Sequence, residues 1–298
     1  MQYPKPPLTF EEQADLLIGR GMLGDRGLMI SRLSVVNYYR LSGYWHPFRE
    51  IPGDTFKAGT TFDAVWIRYV FDRRLRLVVM DAIERIEVAV RTRLAYEHAH
   101  SFGVFGYVDD PGSLPKLAPT VRSDFLAVVG EETRRSREVF VKHFFAKYGD
   151  TYVFLPVWEA TEIMAFGTLL TFFTGSPRAV KKAVADQFGV PWEVFRSWLL
   201  TLNTVRNTCA HHGRLWNRVL GTKPLLPVGA SYADWAKPVR IGNEKVFGVL
   251  TLCRHCLRQV APQSAWPERL RALLTEFSTI PLASMGFPTD WKDSPIWQ

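Results

Sequence analysis

The 298-residue sequence lacks the motifs of several large enzyme classes. It has no glycine-rich phosphate loop, no HExxH and no GxSxG, so nothing in it favours a nucleotide-driven, zinc-dependent or serine-hydrolase mechanism. Its longest apolar stretch, residues 163–173, is too short to span a bilayer. The first residues lack the apolar core of a secretion signal. We therefore expect a cytoplasmic protein with no membrane partner.

Cysteine is scarce, with three residues in the whole chain: Cys209, Cys253 and Cys256. An odd count fits a reducing compartment better than a disulfide framework. Cys253 and Cys256 enclose His255 in a CRHC sequence, but a zinc site of this kind needs a second ligand pair. We interpret these cysteines as packing residues and predict no metal site.

Positive charge is present and unevenly placed. The formal charge is +8, and residues 201–260 hold nine Lys or Arg against two acidic side chains: Arg206, Arg214, Arg218, Lys223, Lys237, Arg240, Lys245, Arg254 and Arg258 against Asp234 and Glu244. Such a segment attracts polyanions, of which RNA is the obvious one. An ordinary solvated basic surface is the alternative. Trp216 and Tyr232 could stack on unpaired bases, although Trp216 is more simply a core residue.

Apolar residues recur at helical spacing through most of the chain, which predicts an all-α fold with long loops. We expect a small helical segment over residues 1–58 and a main helical domain over 59–298, with an aromatic tail packed back on it. Residues 101–119 and 221–242 are predicted loops, and the second has room for a short hairpin. The predicted helices are 9–18 with a Thr9/Glu12 capping box, one capped by Ser34, 61–100 capped by Thr61, 121–148, one from Ser176 and Pro177 to 189, 191–212, 244–259 and 264–277.

The most informative stretch is RNTCAHHGRLWNR, residues 206–218, near the end of a predicted helix. Moving a ribose 2′-hydroxyl onto its neighbouring phosphate needs a base, an acid and a cation at the phosphorus. Histidine can serve as base or acid near neutral pH, and arginine can hold the phosphate and its developing charge. Asn207 could orient either partner. Arg206 and His211 are thus candidates for metal-independent RNA cleavage, against the alternative of a polar helix end.

Helix geometry, at about 100° per residue, predicts which of these side chains share a face. With Arg206 at zero, four side chains fall within about 140° on one side: Ala210, Asn203, Asn207 and His211. His212 falls at about 240°, away from them. We expect His211 to be catalytic, with Asn203, His212, Arg214 and Arg218 supporting it or binding RNA. Gly213 weakens the geometry, because helices often end at such a residue.

Spacing alone is a weak signal here. Three other Arg and His pairs satisfy it: Arg40 with His46, Arg93 with His98, and Arg137 with His143. Only Arg206 is followed by Asn and by two adjacent histidines. Glu87 and Arg91, on the long predicted helix, are four residues apart, which favours an ordinary helix ion pair.

Four separated segments resemble the Abi-like proteins of the AbiD/AbiF type, bacterial abortive-infection proteins of the HEPN (higher eukaryotes and prokaryotes nucleotide-binding) superfamily of helical ribonucleases. The segments are NYYRLSGYWHPF at 37–48, FDRRLRLVVMDAIERIEVAVRTRL at 71–94, VRNTCAHHGRLWNR at 205–218 and MGFPTDWKDSPIW at 285–297. The four segments are spread in this order over nearly the whole length of the chain.

The resemblance implies a HEPN-like helical bundle and an endoribonuclease whose RNxxxH motif falls on Arg206, Asn207 and His211, with no cofactor. It also implies that the long helix is part of the bundle, so that Glu87 or Arg91 could support the site as an alternative to their ion pair. It also implies a homodimer in which two motifs line one cleft. A two-fold interface sets the same patch of each subunit against itself, which suits a helix that meets its own copy.

Three functions stay open at this point. The first is a metal-independent endoribonuclease toxin that halts growth during phage infection. The second is an RNA-binding protein without cleavage, for example one held by a small noncoding RNA. The third is a scaffold that retained the bundle and lost activity. The intact RNxxxH motif favours the first.

Overall fold

A computed structural model describes residues 6–298, and within this range the protein is all-α, as the sequence predicts. Two isolated β-bridges, Leu23 with Thr61 and Arg49 with Phe56, are the extended pairings there. The thirteen α-helices of this range are α1 (Phe10–Gly19), α2 (Arg26–Val35), α3 (Tyr38–Trp45), α4 (Phe62–Phe102), α5 (Gly106–Asp109), α6 (Pro119–Arg135), α7 (Val139–Tyr148), α8 (Val157–Ile163), α9 (Phe166–Gly175), α10 (Arg178–Asp186), α11 (Trp192–Ala210), α12 (Val246–Val260) and α13 (Trp266–Glu276).

The chain forms two compact units. One consists of residues 6–76 together with Leu270–Ile280, and the other of Leu77–Arg269 with Pro281–Gln298. The border between Arg76 and Leu77 lies inside α4, so this helix contributes to both units. The domain boundary expected at residue 58 stays a prediction.

Local capping chemistry starts the helices of the first unit. Thr9 and Glu12 form the predicted capping box at α1, with the Glu12 amide donating to Thr9 Oγ1 at 3.2 Å. The prediction that Ser34 caps the helix carrying Tyr38 is wrong, because Ser34 lies inside α2, a helix that the sequence pattern did not predict. Asn37 caps α3 instead, accepting from the Tyr39 amide at 2.7 Å. Its side-chain oxygen satisfies an amide of the first helical turn, as an N-cap requires.

A buried polar network joins α3 to α4 in the first unit. The Tyr44 hydroxyl and the Arg76 guanidinium each donate to Asp72 Oδ2 at 2.6 Å. Asp72 has 0% exposure, so its charge depends on these partners. Burial raises the pKa of the Tyr44 hydroxyl, and the Asp72 charge raises it further. Two of the segments that carry the family resemblance therefore meet in a structural contact.

The long helix α4 follows its predicted pattern closely. Thr61 Oγ1 accepts from the Ala64 amide at 3.1 Å at its start, which confirms the predicted cap. The predicted apolar face is buried, and its members are Leu75, Val79, Ile83, Ile86 and Val90. Burial at spacings of three and four is what an amphipathic helix with one apolar stripe shows.

Several predicted segments are interrupted. Residues 121–148 form two helices, α6 and α7, because the Ser136 hydroxyl accepts from the Glu138 amide at 3.3 Å and holds an extended joint. Ser176 does not cap α10; its hydroxyl donates to the Phe172 carbonyl at 2.8 Å and closes α9. The predicted loop 101–119 contains the short helix α5, anchored by buried Tyr107.

The C-terminal tail packs back on the second unit, as predicted. Phe287, Trp291 and Trp297 are buried, and the ring of Phe247 on α12 contacts all three. The Trp297 indole donates to Thr251 Oγ1 at 3.1 Å. In the predicted loop 221–242, a 3-10 turn at Ala230–Trp235 replaces the expected hairpin. No helix in residues 6–298 has both the length and the apolarity to cross a membrane.

Candidate functional site

The motif lies at the C-terminal end of α11, whose opposite face anchors it. Pro191 precedes the helix, as predicted, and fixes the chain direction into its first turn. The buried face presents apolar side chains over about four turns: Phe195, Trp198, Leu199, Leu202, Val205 and Cys209. The Trp198 indole also donates to the Leu225 carbonyl at 2.7 Å. This face holds the helix against α9, α10 and α12, and leaves the motif at its free end.

The helix ends two residues earlier than predicted, at Ala210, and His212 is responsible. The His212 amide donates to the Cys209 carbonyl at 3.0 Å, and the Gly213 amide to the Thr208 carbonyl at 2.8 Å. These two bonds define a Schellman motif, which needs a left-handed residue between them. His212 takes that position with φ 57°, although glycine usually does. The chain therefore turns away directly after His211.

The side chains that the sequence selects are brought together at this end. Asn207 and His211 are exposed, and Arg206 is half-buried beside them. The Arg206 guanidinium donates from Nη1 to Asn207 Oδ1 at 3.3 Å. Within residues 6–298 the ring of His211 has no hydrogen-bond partner. An oriented cation and an accessible imidazole thus occupy the same helix end, and these are the two groups that phosphate chemistry needs.

The remaining predicted site residues differ in their placement. Asn203 is half-buried, with its side-chain nitrogen facing the α9 backbone at Gly167. His212 is exposed, and its backbone conformation serves the turn. Arg214 is half-buried and makes interactions within the chain, whereas Arg218 is exposed. Arg218 is therefore the better placed of the two arginines to meet a ligand in solution.

Trp216 is 1% exposed, which confirms that it is a core residue and leaves no face for stacking on a base. Leu215 beside it is buried too, so the segment after His212 folds back into the protein. Tyr232 is half-buried and keeps an accessible edge. The aromatic contribution to RNA binding that the sequence suggests is thus restricted to Tyr232.

The basic segment 201–260 exposes fewer unpaired positive charges than its composition indicates. Lys223 pairs with Glu244 at 2.6 Å, and Lys245 donates to the Ser284 carbonyl at 3.0 Å. Arg254 and Arg258 donate to carbonyls of the C-terminal tail. The exposed cations without an ion pair in the described part of the chain include Arg218, Lys237 and Arg240. The polyanion surface predicted from composition stays a prediction.

The cysteines are core residues, as predicted. Cys209, Cys253 and Cys256 are buried and free, and burial raises the pKa of the Cys253 thiol. His255 faces inward, with Nε2 at 2.8 Å from the Phe188 carbonyl. In the described part of the chain, no group of three or more His, Cys, Asp or Glu side chains is arranged to hold a metal ion.

The competing Arg and His pairs separate by burial. His98 is 0% exposed, so its pair with Arg93 has no open imidazole. The pairs Arg40 with His46 and Arg137 with His143 are exposed. They lack the neighbouring asparagine that contacts Arg206. These two exposed pairs supply matched controls for any test of the motif.

Glu87 and Arg91 form the ion pair expected from their spacing. Arg91 is 8% exposed and also donates to the Thr161 carbonyl on α8. Both ends of the guanidinium are thereby used inside the fold. The structure accounts for this pair as a tie between α4 and α8.

The sequence predicted no site residue on α11 before Asn203. The structure, however, exposes several positions of that helix upstream of the motif. Arg196, Leu200, Thr204 and Asn207 lie on one exposed stripe of α11, at steps of four, four and three. Leu200 is 41% exposed, as single apolar side chains on a helix surface commonly are. The helical period counted backward from Asn207 would have identified the stripe.

The chain belongs to the family of Abi-like proteins, whose family model matches residues 31–217, more than half of its length. Arg206, Asn207 and His211 fall inside the matched region, and the tail segment 285–297 falls outside it. Family membership connects the protein with abortive infection defence. No protein of curated function and no solved structure matches the chain.

Proposed function

We propose that this protein is a metal-independent endoribonuclease of abortive-infection defence, of the AbiD/AbiF type within the HEPN superfamily. The observation that carries the proposal is the end of α11, which presents an exposed His211 and a hydrogen-bonded Arg206 and Asn207 pair within five residues. In a protein of the Abi-like family, these side chains can act directly on RNA, because the ribose 2′-hydroxyl is a nucleophile within the substrate itself.

The reaction starts with removal of a proton from a ribose 2′-hydroxyl by a neutral imidazole. The 2′-oxygen then forms a bond to the adjacent phosphorus, while the bond from phosphorus to the leaving 5′-oxygen breaks. An imidazolium donates a proton to that 5′-oxygen. The products are a 2′,3′-cyclic phosphate and a 5′-hydroxyl, and no water or metal is consumed. General acid and base catalysis of this kind contributes roughly 10²- to 10⁴-fold in rate.

Arg206 stabilises the charge that builds on the phosphate oxygens. A guanidinium stays protonated and offers a planar set of donors, so it suits a phosphorus centre whose equatorial oxygens carry the charge. The bond from Arg206 to Asn207 Oδ1 at 3.3 Å restricts its orientation before RNA binds. Pre-oriented donors are more effective than flexible ones because little reorganisation is needed during the reaction.

A homodimer supplies the second imidazole. The reaction needs a base and an acid on opposite sides of the phosphate, and one chain places a single exposed histidine on the motif strip. Ala210 at the end of α11 is small and exposed, which suits close approach of the same helix end of a second copy. Two His211 rings facing across a two-fold axis would then act as base and acid.

Cysteine cross-linking tests this dimer. All three native cysteines are buried, so a cysteine introduced on the surface is the main reactive thiol. We expect Ala210→Cys to give a covalent dimer with a short bismaleimide. Ala146→Cys, an exposed position on α7, should not. Equal cross-linking at both positions, or none at residue 210, would exclude the composite site.

Cleavage is tested on total RNA in excess EDTA. We expect wild-type protein to produce fragments ending in 2′,3′-cyclic phosphate, and Arg206→Ala and His211→Ala to lose at least about 100-fold in rate. Arg137→Ala and His143→Ala make the same changes in an exposed pair elsewhere and should cleave normally.

RNA that is bound and left intact would favour the second candidate, an RNA-binding protein held by a small noncoding RNA. The exposed cations Arg218, Lys237 and Arg240 favour that candidate independently of the histidines. Neither binding nor cleavage would leave a scaffold role.

A further inference from the structure

An open pocket of about 350 Å³ lies beside the first turns of α11, at the start of the exposed stripe that leads to the motif. Its wall contains three cations, Lys116, Lys181 and Arg196, and one carboxylate, Glu193. The pocket therefore carries an excess of two positive charges. These residues come from three separate parts of the chain and gather at the C-terminal end of α9.

Lys181 is the central member, and it is 3% exposed. Its ammonium donates to the Thr174 carbonyl at 3.2 Å and lies 4.4 Å from the centre of the Trp192 ring. Across residues 6–298, no carboxylate is within ion-pair distance of it. A buried ammonium is normally paired with an opposite charge, because desolvation is costly. Within residues 6–298, no carboxylate therefore balances the positive charge of the Lys181 ammonium.

The neighbouring cations increase this imbalance. Arg196 donates from Nε to Thr174 Oγ1 at 3.3 Å, on the residue whose carbonyl binds Lys181. The Lys116 amide donates to the Gly175 carbonyl at 3.1 Å, which holds Lys116 at the same helix end. Burial lowers the pKa of Lys181, Lys116 and Arg196 lower it further, and Glu193 opposes them. Like charges held together in this way are stabilised by a bound anion.

Trp192 lines the pocket with its ring, while its indole nitrogen is directed into the protein. The indole nitrogen of Trp192 is buried and has no hydrogen-bond partner in the described part of the chain. A buried N–H without an acceptor is uncommon in a folded protein. An anion in the pocket would meet the exposed side chains of Lys116 and Arg196, with the Lys181 charge behind them.

We propose that this pocket binds a backbone phosphate of the RNA strand whose scissile phosphate lies at Arg206 and His211, an inference that rests on the proposed function. Arg196 and Asn207 lie on the same stripe, eleven residues apart, or about 16 Å along the helix axis. A stacked strand rises about 3.4 Å per nucleotide, so roughly five nucleotides join the two sites. The pocket anchors the strand and sets the minimum length of a good substrate.

Affinity for a fluorescent eight-nucleotide single-stranded RNA tests the anchor. The measurement uses the His211→Ala protein, which leaves the RNA intact. We expect Arg196→Ala and Lys116→Ala to weaken binding about tenfold each and to reduce the salt dependence of binding. Arg137→Ala and Lys147→Ala remove exposed cations outside the pocket and should leave affinity unchanged.

A dinucleotide is too short to reach the pocket, so Arg196→Ala in the otherwise wild-type protein should cleave it at the normal rate while its KM for long RNA rises. Unchanged affinity of both pocket variants for the eight-nucleotide RNA would overturn the proposal. Loss of inorganic phosphate binding alone, with RNA binding intact, would also overturn it and assign the pocket to free phosphate. Weaker RNA binding by the pocket variants, without cleavage by the wild type, would contradict the proposed function while retaining the anchor.

Discussion

Two helices of the second unit carry an arginine followed five positions later by a histidine, and the two histidines have opposite environments. On α4, His98 is fully buried, with its ring centre 4.8 Å from that of Phe172. On α11, His211 is exposed at the helix end beside Arg206. The same spacing therefore produces a core residue in one place and a candidate catalytic residue in the other.

The difference arises from position within the helix. His98 lies four residues before the end of α4, on the face that packs against α9, and burial lowers its pKa to about 4. His211 is the first residue beyond α11, and the turn at His212 leads the chain away from it. The end of α11 leaves the His211 ring open to solvent, whereas the packed face of α4 excludes solvent from His98.

Buried His98 is expected to have the largest effect on the free energy of unfolding. Unfolded His98 binds a proton near pH 6.5 and folded His98 only near pH 4, so unfolding takes up a proton in this window. The free energy of unfolding should therefore fall by about 3 kcal/mol between pH 6.5 and pH 4 because of this residue. Urea unfolding across that range measures it. The free energy of unfolding of His98→Leu should fall less steeply between pH 6.5 and pH 4. An unchanged slope in this variant would show that His98 is not the source of the pH dependence.

The Glu87 and Arg91 pair sharpens the distinction between structural and catalytic charges. Glu87→Gln leaves the buried Arg91 guanidinium without its counter-charge, so we expect a loss of about 2 kcal/mol in the free energy of unfolding. The cleavage rate of the folded protein should stay normal. Exposed Glu84→Gln on the same helix should change stability by less than about 0.5 kcal/mol. A selective loss of cleavage in Glu87→Gln would place the pair in the active site.

The smallest effect is expected at His212, whose left-handed conformation suits glycine better. His212→Gly should leave cleavage intact and raise the free energy of unfolding by up to about 1 kcal/mol. Denaturant unfolding and RNA cleavage on one preparation check both. Cleavage lost as completely as in His211→Ala would transfer the catalytic role to His212.

Local signals in the sequence were sufficient for much of the fold. The Thr9 and Glu12 box, the Thr61 cap and the aromatic tail follow from short-range chemistry, and all three are present. Serine was misleading at Ser34 and Ser176, because its hydroxyl bonds equally well to a preceding carbonyl.

The site was predictable only in part. Arg206, Asn207 and His211 are close in sequence, so the geometry of a single helix was enough to group them. Burial of His98 and the meeting of Lys116 with Lys181 depend on packing between distant segments, which spacing does not encode.

Chemical rescue at residue 211 tests the central claim most directly, because it asks whether an imidazole at the end of α11 transfers the protons. His211→Gly should cleave RNA at least about 100-fold more slowly than the wild type near pH 7, and added imidazole should restore part of the rate. His143→Gly should cleave normally and ignore imidazole. Undiminished cleavage by His211→Gly would contradict the account.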